Sequence, residues 1–432
     1  MTNLYQFLKE KFPAKEFNTT HYLLAIILIT LPLKNIYTSI ATIIFVGWAL
    51  FFNKRSFNFQ KIYFWPIAYF ALMALSLLWS YNFNASLSGL QKQLSMLFVP
   101  IAFFFIPKLT KEALHKIIKL YSYGMVLFGL FFLIKGCLRF IHTNDSHVFF
   151  HNELVPLDPG AIYISVFASL AVFHFIQIQN KSNMERFCVF VLTLLIFLLS
   201  SKSIITIDFI IVICYYAFFV KIPSGTKTIT ILSVSLFLFL SVFYVKEVRE
   251  RFLIEYETAF IDNTLNDNLT KEKQNIYNVS INEAWNKTDF HKNSFFPGTA
   301  LRVYQLRIFS EMLNEEPIFL KGFGLEASQD HIINKAKQHN LDSIYGEYNF
   351  HNQYVQTFAE LGIIGFLILA CMLIINLKNA FNHKDFLHIT FAITMIMLFL
   401  SESFFCRQRG IVFFIILYCL FNSTTTKEIK SI

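Results

Sequence analysis

Runs such as VFVLTLLIFLLS (Val189–Ser200) carry no charge and no break, and the chain returns to runs of this kind from near its start to near its end. A water-soluble core built from them would leave too little polar surface to cover it. The runs instead suit helices lying in lipid, because a helix satisfies its own backbone hydrogen bonds there. They fall near 21–33, 37–52, 62–80, 87–106, 116–134, 160–178, 186–201, 203–221, 228–245, 353–377, 386–402 and 409–422. This spacing predicts an all-α polytopic membrane protein of about 12 transmembrane helices. Composition agrees, since 55% of the 432 residues are hydrophobic, only 15% are charged and 53 are Phe, against a far more polar average for globular domains.

The net charge of +9 is not a nucleic-acid footprint, because the basic residues stand singly beside apolar runs and form no stripe. Cys137, Cys188, Cys214, Cys371 and Cys419 lie in or beside apolar segments, Cys406 sits near a tight turn, and no CxxC occurs. Neither a zinc site nor a disulfide framework is indicated. The N-terminal MTNLYQFLKEKFPAKEF lacks a small-residue cleavage site before the first run, which predicts an uncleaved first span.

One set of alternate connections is rich in Lys and Arg, as at Lys54 and Arg55 or at Lys108, Lys111, Lys116 and Lys119. The other set holds only Lys34, Lys135, Arg139, Lys202, Arg407 and Arg409. The positive-inside rule then puts both termini in the cytoplasm. It also puts the long hydrophilic segment 246–352 outside, as a large periplasmic loop domain between the ninth and tenth helices. The expected organisation is a membrane region over 1–245 with about nine helices, that loop domain, and a membrane region over 353–432 with about three.

Within 246–352, Leu306, Phe309 and Leu313 recur at helical spacing until Pro317. Arg302 stands one turn before Leu306, and Arg307 lies about 140° away around such a helix, so the two cannot easily grip one ligand. His351 and Asn352 precede the tenth run. Asn352 suits a helix cap, with His351 a tolerated interfacial side chain. A neutral imidazole there can equally accept a proton from an attacking hydroxyl. Lys202, Arg407 and Arg409 are cations at tight outer turns, open to a snorkelling reading or to binding an anion. Glu402 faces Arg409 across a turn and reads as half of a structural salt bridge. Asp208 falls in an apolar run with no obvious partner, a costly placement. Gly362 and Gly365, after Glu360, leave room for close approach by a helix or a lipid chain. His142, His147 and His151 share a probable loop without a carboxylate at a matching offset, so no metal is expected there.

The pattern Arg302, Pro317, Gly322-Phe323-Gly324, His351-Asn352 and Glu360-Leu361-Gly362-x-x-Gly365 resembles the signature region of the bacterial O-antigen ligase family. That superfamily also includes O-antigen polymerases and protein O-oligosaccharyltransferases. The chain departs from it at Ser201-Lys202-Ser203, where the family typically shows Ser-Arg-Gly; lysine keeps the charge and loses the bidentate fork. The resemblance implies a GT-C-like membrane glycosyltransferase in the bacterial inner membrane, active at the periplasmic face without a metal or other cofactor and with inversion. The implied donor is a glycan on undecaprenyl pyrophosphate and the implied acceptor a sugar hydroxyl of lipid A-core. On this pattern His351 would activate the acceptor, Arg302, Lys202, Arg407 and Arg409 would hold the pyrophosphate, and Asn352 and Glu402 would support them. An O-antigen polymerase would differ only in its acceptor. A flippase for the same lipid-linked glycan would call for charges along a path through the bilayer midplane and often for internal repeats, whereas these charges gather to one side.

Overall fold

A computed structural model describes residues 19–52, 57–220, 256–266 and 275–423, with Gly225 and Arg249 between them. The run near 228–245 and the basic N-terminal flank lie outside the described residues.

Two helices that are apolar on every side sit at the centre. In Gln408–Asn422 every residue from Arg409 onward is buried, and in Ala161–Ile176 nearly every residue is. A helix with no polar face has none to offer to water and is enclosed by others. The two meet through Phe167 and Phe413, whose ring centroids are 4.9 Å apart. Gln408–Asn422 packs on Leu94–Phe105, and Ala161–Ile176 on Lys111–Thr143 and Asn183–Leu199.

The expected count of about 12 transmembrane helices is corrected by the helix lengths. Among the described residues, 3 helices are long and apolar enough to cross a membrane: Asn35–Phe52, Lys111–Thr143 and Gln353–His383. The other apolar runs make shorter pieces, such as Thr19–Thr30 with 12 residues, Phe386–Leu398 with 13 and Gln408–Asn422 with 15. At about 1.5 Å per residue these extend roughly 18–23 Å, short of the ~30 Å hydrocarbon core. The run near 87–106 is split into Phe83–Lys92 and Leu94–Phe105 at Gln93, whose amide donates to the Phe405 carbonyl at 3.1 Å. Hydropathy alone does not separate such buried core helices from spans, and the GT-C-like plan falls with the count. The fold is mostly helical, but not wholly: Thr264–Leu265, Tyr277–Asn278 and Ser294–Phe295 form a small sheet, its first pair antiparallel and its second parallel.

Nor does 246–352 stand apart as a periplasmic loop domain. Its helices Gly298–Glu315 and Ser328–Gln338 share one apolar cluster with Ala359 and Val355 of the long helix Gln353–His383. Its loop is tied to the first half of the chain as well: Tyr81 N–H donates to Phe323 O at 3.0 Å, Trp79 Nε1 to Lys321 O at 2.9 Å, and Leu325 N–H to Ser76 Oγ at 3.1 Å. Polar sequence here marks the covering of the helices, not a separate body.

The Gly322-Phe323-Gly324 and Glu360-Leu361-Gly362 motifs turn out to be two sides of one joint. Gly362, at φ 64 and ψ −165, interrupts the helix Gln353–His383. A break of that kind strips neighbouring backbone groups of their helical partners. The loop supplies replacements: Phe323 N–H donates to Ala359 O and Gly324 N–H to Glu360 O, both at 2.9 Å, while Ile363 N–H donates to Phe319 O at 2.8 Å. The close approach that these glycines allow is therefore made by the chain's own loop. A Cβ on Gly362 would lie 2.3 Å from the Leu320 carbonyl carbon, and one on Gly322 2.3 Å from that of Glu360. Gly362→Ala combines a left-handed φ with a backbone clash and is expected to destabilise the protein by about 2–5 kcal/mol. Gly47→Ala, with nothing within 4 Å of the added carbon, is the control and should leave the melting temperature in detergent unchanged or slightly raised. Equal melting temperatures for the two variants would remove the joint from the account.

Candidate active site

The helix Gln353–His383 starts at Asn352, whose Oδ1 accepts from the N–H groups of Tyr354 at 3.0 Å and Val355 at 3.1 Å. The same side chain reaches across to the last apolar hairpin, donating from Nδ2 to Leu400 O at 3.2 Å, while the Asn352 N–H donates to Ser403 Oγ at 3.1 Å. Asn352 is thus a cap and a staple to the 400–403 turn. His351, one residue earlier, sits at φ 47, an uncommon conformation for a non-glycine residue. Its N–H is taken by Asn349 Oδ1 at 2.9 Å. This turn brings the imidazole beside Glu402, with Nδ1 3.7 Å from Oε2. Nε2 is buried and has no hydrogen-bond partner among the described residues.

Arg302 arrives at the same turn from the other side. The helix Gly298–Glu315 buries Ala300, Tyr304, Ile308 and Met312 in steps of four, so its inner face differs from the one the sequence suggested, and Leu306 is 45% exposed. Arg302 lies half-buried beside that stripe. Its Nε donates to Ser401 O at 3.1 Å and its Nη1 to Gly298 O at 2.9 Å. Both acceptors are neutral carbonyls, and among the described residues no carboxylate pairs with it, so its charge is left for something else to answer. The 400–403 turn therefore brings together Arg302, His351, Asn352 and Glu402. Rings hold the turn in place: Phe405 lies 5.0 Å from both Phe399 and Phe414.

The remaining cations divide. Arg407 is exposed, and its side chain holds no hydrogen bond or ion pair among the described residues. Arg409 is only 5% exposed and pairs with Asp158 at 2.5 Å. The expected pairing of Glu402 with Arg409 is thus replaced by two others, His351 with Glu402 and Asp158 with Arg409. The Phe404–Cys406 turn separates Glu402 from Arg409 and lets each find a partner on a different segment. Lys202 opens the helix Lys202–Cys214 and is half-buried. It follows Leu199, whose carbonyl lies 3.3 Å from His151 Nδ1. Asp208 accepts from Ser169 Oγ at 2.5 Å. Among the described residues no three His, Cys, Asp or Glu side chains gather in a metal-ligating group, and His142 and His147 are exposed.

Sequence reasoning missed two members of this region. Asp158 lies between Pro156 and Pro159, and an isolated carboxylate in so apolar a chain was the signal that pointed to a partner. Tyr163 stacks on Phe404 at 4.9 Å and donates to its carbonyl at 3.4 Å, within electrostatic reach of Glu402, Arg407 and Arg409. Nothing in the sequence marks it out from 19 tyrosines.

Behind Arg302, the other arginine of its helix is committed to structure. Arg307 donates to Glu311 at 2.8 Å and to the carbonyls of Lys287 at 2.5 Å and Ala284 at 3.4 Å. Burial would raise the Glu311 carboxyl, but the Lys335 hydrogen bond, His339 and Arg307 outweigh it and hold its pKa below the usual value.

Residues 187–370 match the O-antigen ligase family. A comparison with curated proteins gives no match. The O-antigen ligase match covers Lys202, Arg302, His351 and Asn352, together with both halves of the glycine joint, and stops before the 400–403 turn. This match supports enzymatic activity of a general ligase-like glycosyltransferase kind, with glycan and lipid partners. Its long apolar helices make it a membrane protein with more than one span.

Proposed function

We propose that the protein moves a glycan from undecaprenyl pyrophosphate to a sugar hydroxyl of lipid A-core, at the periplasmic face of the inner membrane, without a metal and with inversion. The observation that carries this reading is the meeting, at one turn, of a histidine with a ring nitrogen that has no partner among the described residues and an arginine that no carboxylate among them neutralises.

The chemistry needs two things from the protein. A sugar hydroxyl is a weak nucleophile until a base draws off its proton, and His351 Nε2 is the acceptor for that proton. Glu402 beside Nδ1 favours the tautomer with its proton on Nδ1 and steadies the imidazolium that forms. The hydroxyl oxygen then bonds to the anomeric carbon as the bond from that carbon to the pyrophosphate oxygen breaks on the opposite side, which inverts the configuration. The charge developing on the leaving pyrophosphate falls to guanidinium and ammonium groups. Arg302 and Arg407 have no carboxylate to displace among the described residues. Lys202 adds charge, and Arg409 acts with Asp158 already in place.

Purified protein with donor and acceptor is expected to transfer at full rate in excess EDTA, measured as glycosylated acceptor formed. Activity that vanished there and returned with Mg²⁺ or Mn²⁺ would show that the cationic side chains do not carry the leaving-group charge.

A further inference from the structure

A polar hollow, away from the 400–403 turn, opens where the small sheet meets the helix Ile281–Asn286. Its volume is about 320 Å³, and Asn263, Tyr277, Asn278, Glu283, Lys287 and His291 contribute to its wall. That is within the size range of small-ligand pockets, yet the lining is amide, carboxylate, ammonium, imidazole and phenol where most pockets are apolar. We infer that this hollow is a glycan subsite, holding a sugar residue of the transferred chain remote from the bond that breaks.

Three features favour a sugar. A sugar presents hydroxyls that donate and accept along its edge and C–H bonds on its face, and the wall offers groups of both polarities beside one aromatic ring. Part of the wall is fixed in advance: Asn278 Oδ1 accepts from Asn266 Nδ2 at 2.8 Å, and Glu283 accepts from Ser280 N–H and from Lys287 Nζ, both at 3.1 Å. The side chains of Asn263, Tyr277 and His291, in contrast, make no hydrogen bond among the described residues and remain available to a ligand. A positioned frame with uncommitted donors and acceptors is what a polar ligand needs.

The hollow is also connected to the candidate site. Ser294, another wall residue, has its carbonyl bonded by Tyr345 Oη at 3.0 Å. The Tyr345 ring lies 6.1 Å from Tyr348, which lies 5.7 Å from His351. Tyr345 is buried, so these contacts tie the wall of the hollow to the candidate site from within, and a glycan whose first sugar reacts at His351 would have its outer sugars at Tyr277. This identity of the occupant rests on the transfer reading proposed above; the affinity of the hollow for sugars does not.

The test uses the full-length protein in detergent micelles, with rhamnose, galactose, N-acetylglucosamine and lactose as probes at millimolar concentration, read by saturation-transfer NMR. At least one probe should take up saturation from the wild type. Tyr277→Ala should weaken its binding roughly five- to tenfold, the effect of one ring contact, and Tyr277→Phe should retain it. His291→Ala, at an exposed position, should also weaken it and decides the matter if Tyr277→Ala does not fold. No saturation of any probe, or equal saturation with wild type and folded variants, overturns the inference. A parallel transfer assay separates the two readings. Tyr277-dependent binding without any transfer by the wild type would leave the subsite standing and bring down the transferase, whereas transfer with Tyr277-independent binding would bring down the subsite alone.

Discussion

His351→Ala is expected to reduce transfer by about 10²–10⁴, the contribution of a positioned general base, while leaving the donor bound. The two effects separate because the pyrophosphate contacts are assigned to Arg302, Arg407, Lys202 and Arg409, none of which bonds to His351. His351→Gln preserves polarity and roughly the reach of the ring, but an amide does not take up a proton at neutral pH. It should be nearly as inactive as alanine. Glu402→Gln keeps the size of the group 3.7 Å from Nδ1 and removes its charge, so it should give a partial loss. Near-full transfer by His351→Gln would make the histidine an orienting group. The base would then have to be another residue, and Asp342 is a poor substitute because its carboxylate caps Ile344 N–H at 3.0 Å.

Arg302→Ala and Arg307→Ala should fail in different ways. Arg302 spends its bonds on two carbonyls, so its removal forfeits transition-state charge stabilisation with modest harm to folding. A loss of about 10²–10³ in rate at unchanged protein level is expected, on the scale of losing one oxyanion donor. Arg302→Lys should recover only part of that, since it keeps the charge without the fork. Arg307 is buried, and its loss takes one partner from Glu311, which keeps Lys335, and leaves the carbonyls of Lys287 and Ala284 without that donor, at a cost of about 1–3 kcal/mol. Its alanine variant should melt lower and accumulate less, with near-normal activity per folded molecule. Because the Glu311 pKa is depressed in the folded chain, its stabilising contribution is complete above the unfolded-state value and fades as pH falls through the folded one. Equal losses of activity in both variants at equal protein levels would refute this division of roles.

How much of this was legible in the sequence depended on rarity. Charged and imidazole groups are few in so apolar a chain, so Arg302, His351 and Glu402 stood out, and the structure brings these three to one turn. Pairings were less legible because they depend on where the chain folds back. Glu402 and Arg409 are neighbours across a turn in sequence, yet each is claimed by a residue far along the chain, His351 and Asp158. The glycine motif could be read as a place of close approach, but a helical run does not announce that Gly362 will interrupt it. Hydropathy misled most on architecture. Gln408–Asn422 and Ala161–Ile176 are as apolar as any span, and only their length and their near-complete burial mark them as interior helices. The polar stretch before Asn352 looked like a domain by its polarity and length, but its core is shared with Val355 and Ala359, which belong to an apolar run.

The glycolipid profile of a deletion strain, complemented with wild type or with His351→Gln, tests the central claim most directly. The account predicts that undecaprenyl-linked glycan accumulates in the deletion strain while lipid A-core stays unmodified, that wild type restores the modified lipid, and that His351→Gln does not. An unchanged profile in the deletion strain would contradict glycan transfer by this protein. Lipid A-core carrying single repeats in place of long chains would show that the acceptor is another lipid-linked glycan, as for a polymerase.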